Sequence, residues 1–232
     1  MSEKLVLALP SKGRLMQQCE NMLAKAGLSV TKSGSERGYK AELAELPGAE
    51  VNFVSSSEIA QHLKNGTVHL GVTGEDLLRE AIGDCDERVT FVRACGFGHA
   101  DVVVAVPACW IDVRRMADLE EMSVGFRRKH GRRVRVATKY MNLTRRFFSQ
   151  KGVSGYRIVE SLGATEGAPA AELAELIVDI TTTGATLRGN GLRVLDDGII
   201  LRSQAHLVSS RMAPWSPELR GIEREVVARL TV

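Results

Sequence analysis

The chain has 232 residues, of which 44% are hydrophobic and 25% are charged, and its formal net charge is +3. These values are ordinary for a globular protein and exclude an intrinsically disordered chain. No apolar run has membrane-spanning length, and residues 1–10 lack the basic leader and the cleavage site of a signal peptide, so we expect a cytoplasmic protein without membrane contact. The four cysteines have neither metal-ligand nor Cys-x-x-Cys spacing, which favours reduced thiols.

Strands and helices alternate in the N-terminal part of the chain. Helices are predicted at 15–26 and 56–64, and strands at 5–10, 51–54, 69–73, 89–92 and 101–106. This alternation predicts an α/β fold built on a parallel sheet.

A turn with two cations separates the first strand from the first helix. Gly13 lets the backbone approach a ligand, while Lys12 and Arg14 supply positive charge, so the turn suits an anion. A basic turn is also common on any soluble surface. Further along, residues 33–39 have the glycine-rich composition of a mobile loop, and this segment contains Arg37.

The segment after Pro107 changes in character. Residues 110–122 have helical periodicity, and a basic stretch at 127–151 follows, with no acidic residue between Met122 and Lys151. Such a stretch attracts nucleic acid or a phosphorylated small molecule, although a solvated basic face without function also fits it.

Residues 107–191 contain a complete α/β pattern of their own. Strands are predicted there at 133–138 and 156–160, and helices at 141–150 and 170–175. Beyond them, strands are predicted at 192–195 and 199–207, and a last helix at 217–230. We therefore expect a discontinuous lobe I, formed by 1–106 plus 192–232, with lobe II (107–191) inserted into it.

The pattern around which the chain is organised is a strand, a tight loop and a helix start between Leu176 and Gly191. The strand contains Asp179, and four threonines and a glycine follow: Thr181, Thr182, Thr183, Gly184 and Thr186. Unpaired N–H groups at a helix start, with added hydroxyl donors, suit a phosphate, and Asp179 is placed to accept hydrogen bonds from a sugar. The plain alternative is a capped strand-to-helix turn, which needs only one threonine.

Other classes of site have no support in the sequence. The five histidines do not cluster at metal-ligand spacing, and no Gly-x-Ser-x-Gly pattern, Cys/His arrangement or Walker motif is present. We therefore expect a protein that acts by positioning and charge stabilisation and that holds no metal through its own side chains.

Five motifs in matching order resemble the ATP phosphoribosyltransferase family, the first enzyme of histidine biosynthesis. They are Leu9-Pro10-Ser11-Lys12-Gly13-Arg14-Leu15, Gly71-Val72-Thr73-Gly74-Glu75-Asp76, the segment 135–144, Gly163-Ala164-Thr165-Glu166, and the segment 179–187. The resemblance implies two α/β lobes like those of type II periplasmic binding proteins, with substrates in the cleft between them. It also implies the short form of the enzyme, without a C-terminal regulatory domain.

The implied reaction joins N1 of the adenine of ATP to C1 of the ribose of phosphoribosyl pyrophosphate, with inversion and release of pyrophosphate. It needs Mg²⁺, which we expect to bind through the substrate diphosphate. The resemblance further implies a homodimer within a hetero-oligomer, whose other subunit is a regulatory protein related to histidyl-tRNA synthetase.

The family's functional residues carry over to this sequence position by position. Asp179 would hold the ribose hydroxyls, and the loop Thr181, Thr182, Thr183, Gly184, Ala185 and Thr186 would hold the 5-phosphate. Lys12, Arg14 and Arg37 would meet the pyrophosphate or the ATP phosphates. The segment Gly163, Ala164 and Thr165 would complete the phosphoribosyl site, with Glu166 near the ribose.

The chain departs from the family pattern at two places. Ser55-Ser56-Ser57-Glu58 stands where many members have Arg-Pro-x-Asp, and Met141 replaces the proline of Tyr-Pro-Asn-Leu-Thr. The rival functions are a solute-binding module, for which a signal peptide or a DNA-binding segment is missing, and a nucleic-acid surface, for which an RNA-binding signature is missing. We therefore expect no nucleic-acid partner.

Overall fold

The computed structural model describes residues 4–32 and 40–230, which form two compact units. Unit 1 consists of Met1–Gly98 and Gln204–Val232, and unit 2 of His99–Ser203. These boundaries correct the predicted lobes, 1–106 plus 192–232 and 107–191. The strands at 100–107 and 192–203 pair with each other and with the strand at 176–181, so both belong to the inserted unit.

Unit 1 is a seven-stranded sheet with helices on both faces. Its strands are β1 (Leu5–Pro10), β2 (Val30–Lys32), β3 (Lys40–Leu43), β4 (Leu46–Val54), β5 (Leu70–Gly74), β6 (Val89–Ala94) and β12 (Ala205–Ser210). Its helices are α1 (Gly13–Lys25), α2 (Ser56–Asn65), α3 (Glu75–Ala81), α4 (Cys85–Arg88) and α8 (Pro217–Leu230). The strand order is β2-β3-β4-β1-β5-β12-β6.

The alternating side chains of β1 explain the layering of unit 1. Leu7 and Leu9 are buried on one face against α1 and α8, whereas Ala8 packs on the other face against Ile59 and Leu63 of α2. Only the pairs of β1 with β4 and β5 are parallel among the described strands of this unit. The predicted parallel sheet is therefore a mixed sheet.

Unit 2 is a five-stranded mixed sheet in the order β11-β7-β10-β8-β9. Its strands are β7 (Ala100–Pro107), β8 (Val134–Thr138), β9 (Tyr156–Glu160), β10 (Leu176–Thr181) and β11 (Leu192–Ser203). Its helices are α5 (Met116–His130), α6 (Met141–Gln150) and α7 (Ala185–Gly189), with a 3₁₀ turn at Thr165–Gly167.

Three strands of unit 2 run in the same direction. β10 is parallel to β8, and β8 is parallel to β9, so the segments after all three strands leave the same edge of the sheet. In open α/β sheets, ligands bind outside the carboxyl ends of the strands. The threonine loop after β10 lies at this edge.

Two local predictions failed in unit 2. The helix expected at 110–122 begins only at Met116, where the Asp118 carboxylate accepts hydrogen bonds from the Arg114 and Arg115 N–H groups. The helix expected at 170–175 is a series of turns in which Glu172 has φ 56°. In the part of the chain that the structure describes, no helix combines the length and apolar character that crossing a bilayer requires.

Candidate active site

The loop after β10 is closed by its own hydroxyl groups. The Gly184 N–H donates a hydrogen bond to the Thr181 hydroxyl oxygen at 2.9 Å, and the Ala185 N–H donates to the Thr183 hydroxyl oxygen at 3.3 Å. Gly184 has φ 71°, a left-handed conformation that favours glycine, and α7 begins directly after it. A strand-to-helix turn without a ligand thus explains why Thr181 and Thr183 are present, since their hydroxyls accept hydrogen bonds within the turn. It does not explain Thr182 and Thr186.

The remaining hydroxyls of the loop lie on exposed residues. Thr182 donates to the His99 carbonyl at 3.2 Å, and Thr186 is in the first turn of α7. The first N–H groups of a helix have no acceptor within the helix, and the helix dipole favours an anion beside them. The loop therefore combines backbone and hydroxyl donors on a surface that solvent reaches.

Asp179 is a partly buried carboxylate near the end of β10. Its burial raises the pKa above the ordinary value of 3.8, against the effect of the Ile180 N–H, which donates to it at 2.8 Å. The charge of Lys139 also lowers the pKa of Asp179, and the charge of Glu166 raises it. Two ionisable groups therefore act on this carboxylate in opposite directions.

One cavity of about 320 Å³ in unit 2 brings most of the predicted phosphoribosyl residues together. Its wall is formed by Ala100, Glu166, Asp179, Ile180, Thr181, Thr182, Thr183, Ala185, Thr186 and Leu187. Two carboxylates and the donor-rich loop thus line the same cavity. A sugar with a phosphate has the matching polarity, because its hydroxyls donate and its phosphate accepts.

The segment 163–166 contributes to this cavity through Glu166. Ala164 has φ 48°, and Thr165 is buried with its hydroxyl 3.0 Å from that of Ser161. Gly163, Ala164 and Thr165 are absent from the cavity wall, so their direct contact with a phosphoribosyl group stays a prediction. Thr165 and Glu166 lie in the same 3₁₀ turn, so Thr165 directly precedes the one residue of the segment that lines the cavity.

Lys139 acts on Asp179 through its charge but is not among the predicted site residues, although it lies in both the basic stretch and the family motif at 135–144. Lys139 follows β8 directly. In the parallel pair of β8 and β10, Val136 is opposite Leu176 and Ala137 is opposite Ile177. Continuing this register by two residues places Lys139 beside Asp179. The signal in the sequence was its position immediately after a predicted strand, at the edge where parallel strands end.

The predicted cations of unit 1 lie at the start of α1. Lys12 and Arg14 are exposed, and Gly13 between them has φ 75°. Neither side chain takes part in an ion pair within residues 4–32 and 40–230. Arg37, the third predicted cation, lies outside the described residues.

The departure at residues 55–58 has a structural role in this chain. The Ser55 hydroxyl accepts a hydrogen bond from the Glu58 N–H at 3.3 Å, and the Glu58 carboxylate accepts one from the Ser55 N–H at 2.9 Å. This reciprocal pair is a capping box that starts α2. At the second departure, Met141 is the first residue of α6.

Comparisons with known proteins identify the family of this chain. The model of the family described as "HisG: ATP phosphoribosyltransferase" matches residues 55–230. An ATP phosphoribosyltransferase from Bradyrhizobium diazoefficiens is 61% identical over 227 residues, which are 98% of this chain and 70% of that protein. Because that relative is longer than the matched region, the short form stays a prediction.

Solved structures show the same architecture. The ATP phosphoribosyl transferase (HisG:HisZ) complex from Thermotoga maritima aligns with a TM-score of 0.73 and 27% identity, covering 98% of this chain and 96% of that one. A putative L-cystine ABC transporter from Listeria monocytogenes aligns with a TM-score of 0.55 at 11% identity, covering 98% and 90%, and shares the fold alone. The predicted likeness to type II binding proteins is confirmed. On the family match and the close relative, the chain belongs to the ATP phosphoribosyltransferase family.

Proposed function

We propose that this chain is the catalytic subunit that joins N1 of the adenine of ATP to C1 of the ribose of phosphoribosyl pyrophosphate. As a member of its family, the chain is a glycosyltransferase of histidine biosynthesis. The observation that supports the site assignment is the single cavity shared by Glu166, Asp179 and the threonine loop.

The loop after β10 is assigned to the 5-phosphate. Thr182, Thr183 and Thr186 are exposed around the start of α7, where backbone N–H groups and hydroxyls both donate hydrogen bonds. Thr181 and Gly184 keep the loop in its tight form. In this assignment the phosphate anchors the substrate and fixes the orientation of its ribose.

Asp179 and Glu166 are assigned to the ribose. An ionised carboxylate accepts hydrogen bonds from two neighbouring hydroxyls, and Asp179 already has one backbone donor that fixes its orientation. Positive charge develops on the ribose as pyrophosphate departs, and a carboxylate on the same wall stabilises that charge. No nucleophilic side chain is needed, because adenine N1 carries its own lone pair.

The cations of unit 1 are assigned to the phosphates. Lys12 and Arg14 are exposed beside a glycine turn and carry no competing ion pair among the described residues. They would meet the departing pyrophosphate or the ATP triphosphate, together with Arg37. Their charge would lower the free energy of the leaving group as its negative charge increases.

A Mg²⁺ ion bound with the substrate diphosphate is part of the proposal. Within residues 4–32 and 40–230, no group of three or more His, Cys, Asp or Glu side chains is arranged to hold a metal ion. The two carboxylates of the cavity, Glu166 and Asp179, fit an ion that takes one or two protein ligands and completes its shell with phosphates. The ion would neutralise charge on the leaving group.

A regulatory subunit completes the proposal. The solved complex from Thermotoga maritima contains HisG and HisZ, and that HisG aligns with nearly all of this chain. We infer a HisZ-like partner here, within a cytoplasmic hetero-oligomer.

The test is an assay of the purified chain with ATP, phosphoribosyl pyrophosphate and Mg²⁺, with and without a HisZ-like subunit. Phosphoribosyl-ATP is detected by its ultraviolet absorbance, and its formation supports the proposal. No product in the presence of the subunit would overturn it. Asp196→Asn, at an exposed position outside the cavity, is the control for removal of the Asp179 charge by Asp179→Asn.

A further inference from the structure

Part of the basic stretch forms a concave surface at one edge of the unit 2 sheet. A cavity of about 280 Å³ is lined there by Arg132, Arg133, Arg135, Tyr156 and Arg157. These residues lie at, or directly before, the beginnings of β8 and β9. The threonine loop follows the end of β10, which is parallel to β8, so this cavity lies at the opposite edge of the sheet from the candidate active site. We call it the arginine cavity.

A second cavity adjoins the arginine cavity. It has a volume of about 480 Å³, and its wall includes Arg127 and Arg128 of α5. Arg133 lines both cavities, so they meet at this residue. The carboxylate in this wall, that of Glu120, already accepts hydrogen bonds from the Ser154 N–H at 2.8 Å and the Ser154 hydroxyl at 3.1 Å. The positive charge is therefore distributed along an extended surface rather than focused on one point.

The register of β8 with β9 places two arginines side by side. Arg135 is paired with Arg157, and like charges on neighbouring strands repel each other. Glu175 offsets only part of this charge, because its carboxylate is shared by Arg132 at 2.9 Å and Arg135 at 2.7 Å. Arg157 is exposed and has no ion pair within residues 4–32 and 40–230. The fold thus keeps a repulsion that a bound anion would relieve.

Two structural explanations account for part of this positive charge. The cations in the last turn of α5, from Arg127 to His130, complement the helix dipole. An arginine on β9, which is an edge strand, hinders pairing of this edge with another chain. Neither explains Arg133, which lies between α5 and β8, is exposed and makes no ion pair in the part of the chain that the structure describes.

The side chains of the arginine cavity favour phosphate as the anion. All four cations in its wall are arginines, and a guanidinium group binds a phosphate through two parallel hydrogen bonds. A single-stranded nucleic acid would also need aromatic rings on which its bases stack. Tyr156 is the one aromatic residue among the described residues of this wall, and its ring already packs against Phe148, with 4.7 Å between the ring centroids. A small anion with several phosphates fits the surface better.

We infer that the arginine cavity and its neighbour form a binding site for a polyphosphate, an anion with three or more linked phosphate groups, outside the site assigned to the reaction. Arg157 and Arg133 bind successive phosphates, and Arg127 and Arg128 extend the contact into the second cavity. Inorganic polyphosphate and the phosphate chain of a nucleoside triphosphate share this chemistry. Binding relieves the repulsion between Arg135 and Arg157, and it stabilises the folded chain because the unfolded chain has no such site.

Isothermal titration calorimetry of the full chain with sodium tripolyphosphate, at constant ionic strength, tests the site. Lys12 and Arg14 are assigned to substrate phosphates, so every variant carries Lys12→Ala and Arg14→Ala to weaken binding at that place. In this background we expect tripolyphosphate to bind. Arg133→Gln together with Arg157→Gln should weaken the binding at least about tenfold, because each arginine supplies charge-assisted hydrogen bonds.

A second pair of arginines provides the matched control. Arg202 and Arg224 are exposed and line neither cavity, so Arg202→Gln together with Arg224→Gln should leave the affinity unchanged. Absence of tripolyphosphate binding, or an equal loss in the two double variants, would overturn the inference. An equal affinity for a glutamate pentamer would also overturn it, since a general basic surface does not distinguish carboxylates from phosphates.

Uridine triphosphate in the same titration distinguishes the two sources of the phosphate chain. A higher affinity than that of tripolyphosphate assigns the site to a nucleotide, and an equal or lower affinity assigns it to the inorganic chain.

Thermal unfolding provides a readout that does not depend on the heat of binding. Tripolyphosphate should raise the Tm of the background chain, and not that of the variant with Arg133→Gln and Arg157→Gln. Equal increases in both would contradict the site. These measurements report binding and stability rather than turnover, so their failure leaves the proposed reaction untouched, and failure of the reaction leaves this site untouched.

Discussion

The hydroxyl oxygen of Thr181 accepts a hydrogen bond from the Gly184 N–H at 2.9 Å, across the two residues that form the tip of the loop. We expect Thr181→Val to lose this bond and to weaken binding of phosphoribosyl pyrophosphate about two- to tenfold, the usual net value of one hydrogen bond. Thr181→Ser, which keeps the hydroxyl, should bind like the unchanged chain. Isothermal titration calorimetry measures the affinity of both variants for phosphoribosyl pyrophosphate. An equal loss of affinity in the two variants would show that this hydrogen bond does not hold the loop.

Gly184 and Gly189 offer a matched pair of substitutions in one short segment. Alanine at Gly184 would adopt φ 71° and place its Cβ 2.9 Å from the Arg188 guanidinium, so we expect a loss of stability of about 1–2 kcal/mol. At Gly189 a Cβ meets nothing within 4 Å, and alanine favours the helix. Thermal unfolding should therefore show a lower Tm for Gly184→Ala only. Equal Tm values would mean that the loop tolerates a side chain.

Asp179→Asn tests the ribose assignment. The amide keeps the shape of the side chain but loses the charge that strengthens bonds from sugar hydroxyls, by about 1.5–3 kcal/mol. We therefore expect a ten- to hundredfold loss, to order of magnitude, in affinity for phosphoribosyl pyrophosphate and little change for ATP. Equal losses for the two substrates in binding titrations would mean that the cavity is wrongly assigned.

The two charges beside Asp179 predict opposite shifts in its titration. Lys139 lowers the pKa of Asp179, so Lys139→Ala should move it upward, and Glu166 raises it, so Glu166→Gln should move it downward. In the proposed assignment the ionised Asp179 carboxylate binds the ribose hydroxyls, so the affinity for phosphoribosyl pyrophosphate should fall as the pH drops through the pKa of Asp179. NMR titration of the Asp179 carboxyl carbon measures the shifts, and movement in the same direction in both variants would contradict the arrangement.

Glu175 predicts an acid-sensitive contribution to stability. Its carboxylate is partly buried, which opposes ionisation, yet hydrogen bonds from Arg132 at 2.9 Å and Arg135 at 2.7 Å lower its pKa from 4.5 to about 2. Because the folded pKa is depressed, the stabilisation is complete above pH 4.5 and disappears as the pH falls through about 2.

Removing the charge of Glu175 checks this contribution. We expect Glu175→Gln to lower the free energy of unfolding by about 2 kcal/mol at neutral pH and by progressively less on acidification. Glu172→Gln, at an exposed side chain nearby, is the control. Urea unfolding at several pH values gives both curves, and a difference that does not change with pH would exclude the ion pair as its source.

Local patterns in the sequence were sufficient where a segment determines its own structure. The helix expected at 141–150 and the strand expected at 156–160 have these bounds in the structure, because an amphipathic period and an apolar run specify them directly. The threonine loop was found in the same way. The family resemblance then placed Glu166 with it, and both line one cavity.

Long-range pairing was beyond local patterns. β7 and β11 belong to unit 2 because they pair antiparallel with each other, and β7 also pairs with β10, far along the chain. Local patterns do not reveal such pairing, so the predicted lobe boundaries fell at the end of β7 and the start of β11, whereas unit 2 begins before β7 and ends after β11. The helix predicted at 170–175 is absent, and the segment forms turns instead. There, Arg135 donates hydrogen bonds to both the Glu172 carbonyl and the Glu175 carboxylate, and these long-range bonds are not visible in the local pattern. Lys139 was missed for the same reason, since only the register of β8 with β10 brings it to Asp179.

The pairing of Ala100 with Ser203 means that unit 2 starts and finishes at adjacent positions on neighbouring strands. Because its two ends lie close together, such a segment can be removed from one chain or inserted into another without a change in the distance between its ends. A fragment of residues 99–203 would keep both carboxylates and the whole threonine loop. In the proposed assignment, the residues that hold the sugar and its phosphate thus lie in one continuous stretch of sequence, and we expect that this stretch can be exchanged between relatives as a single block.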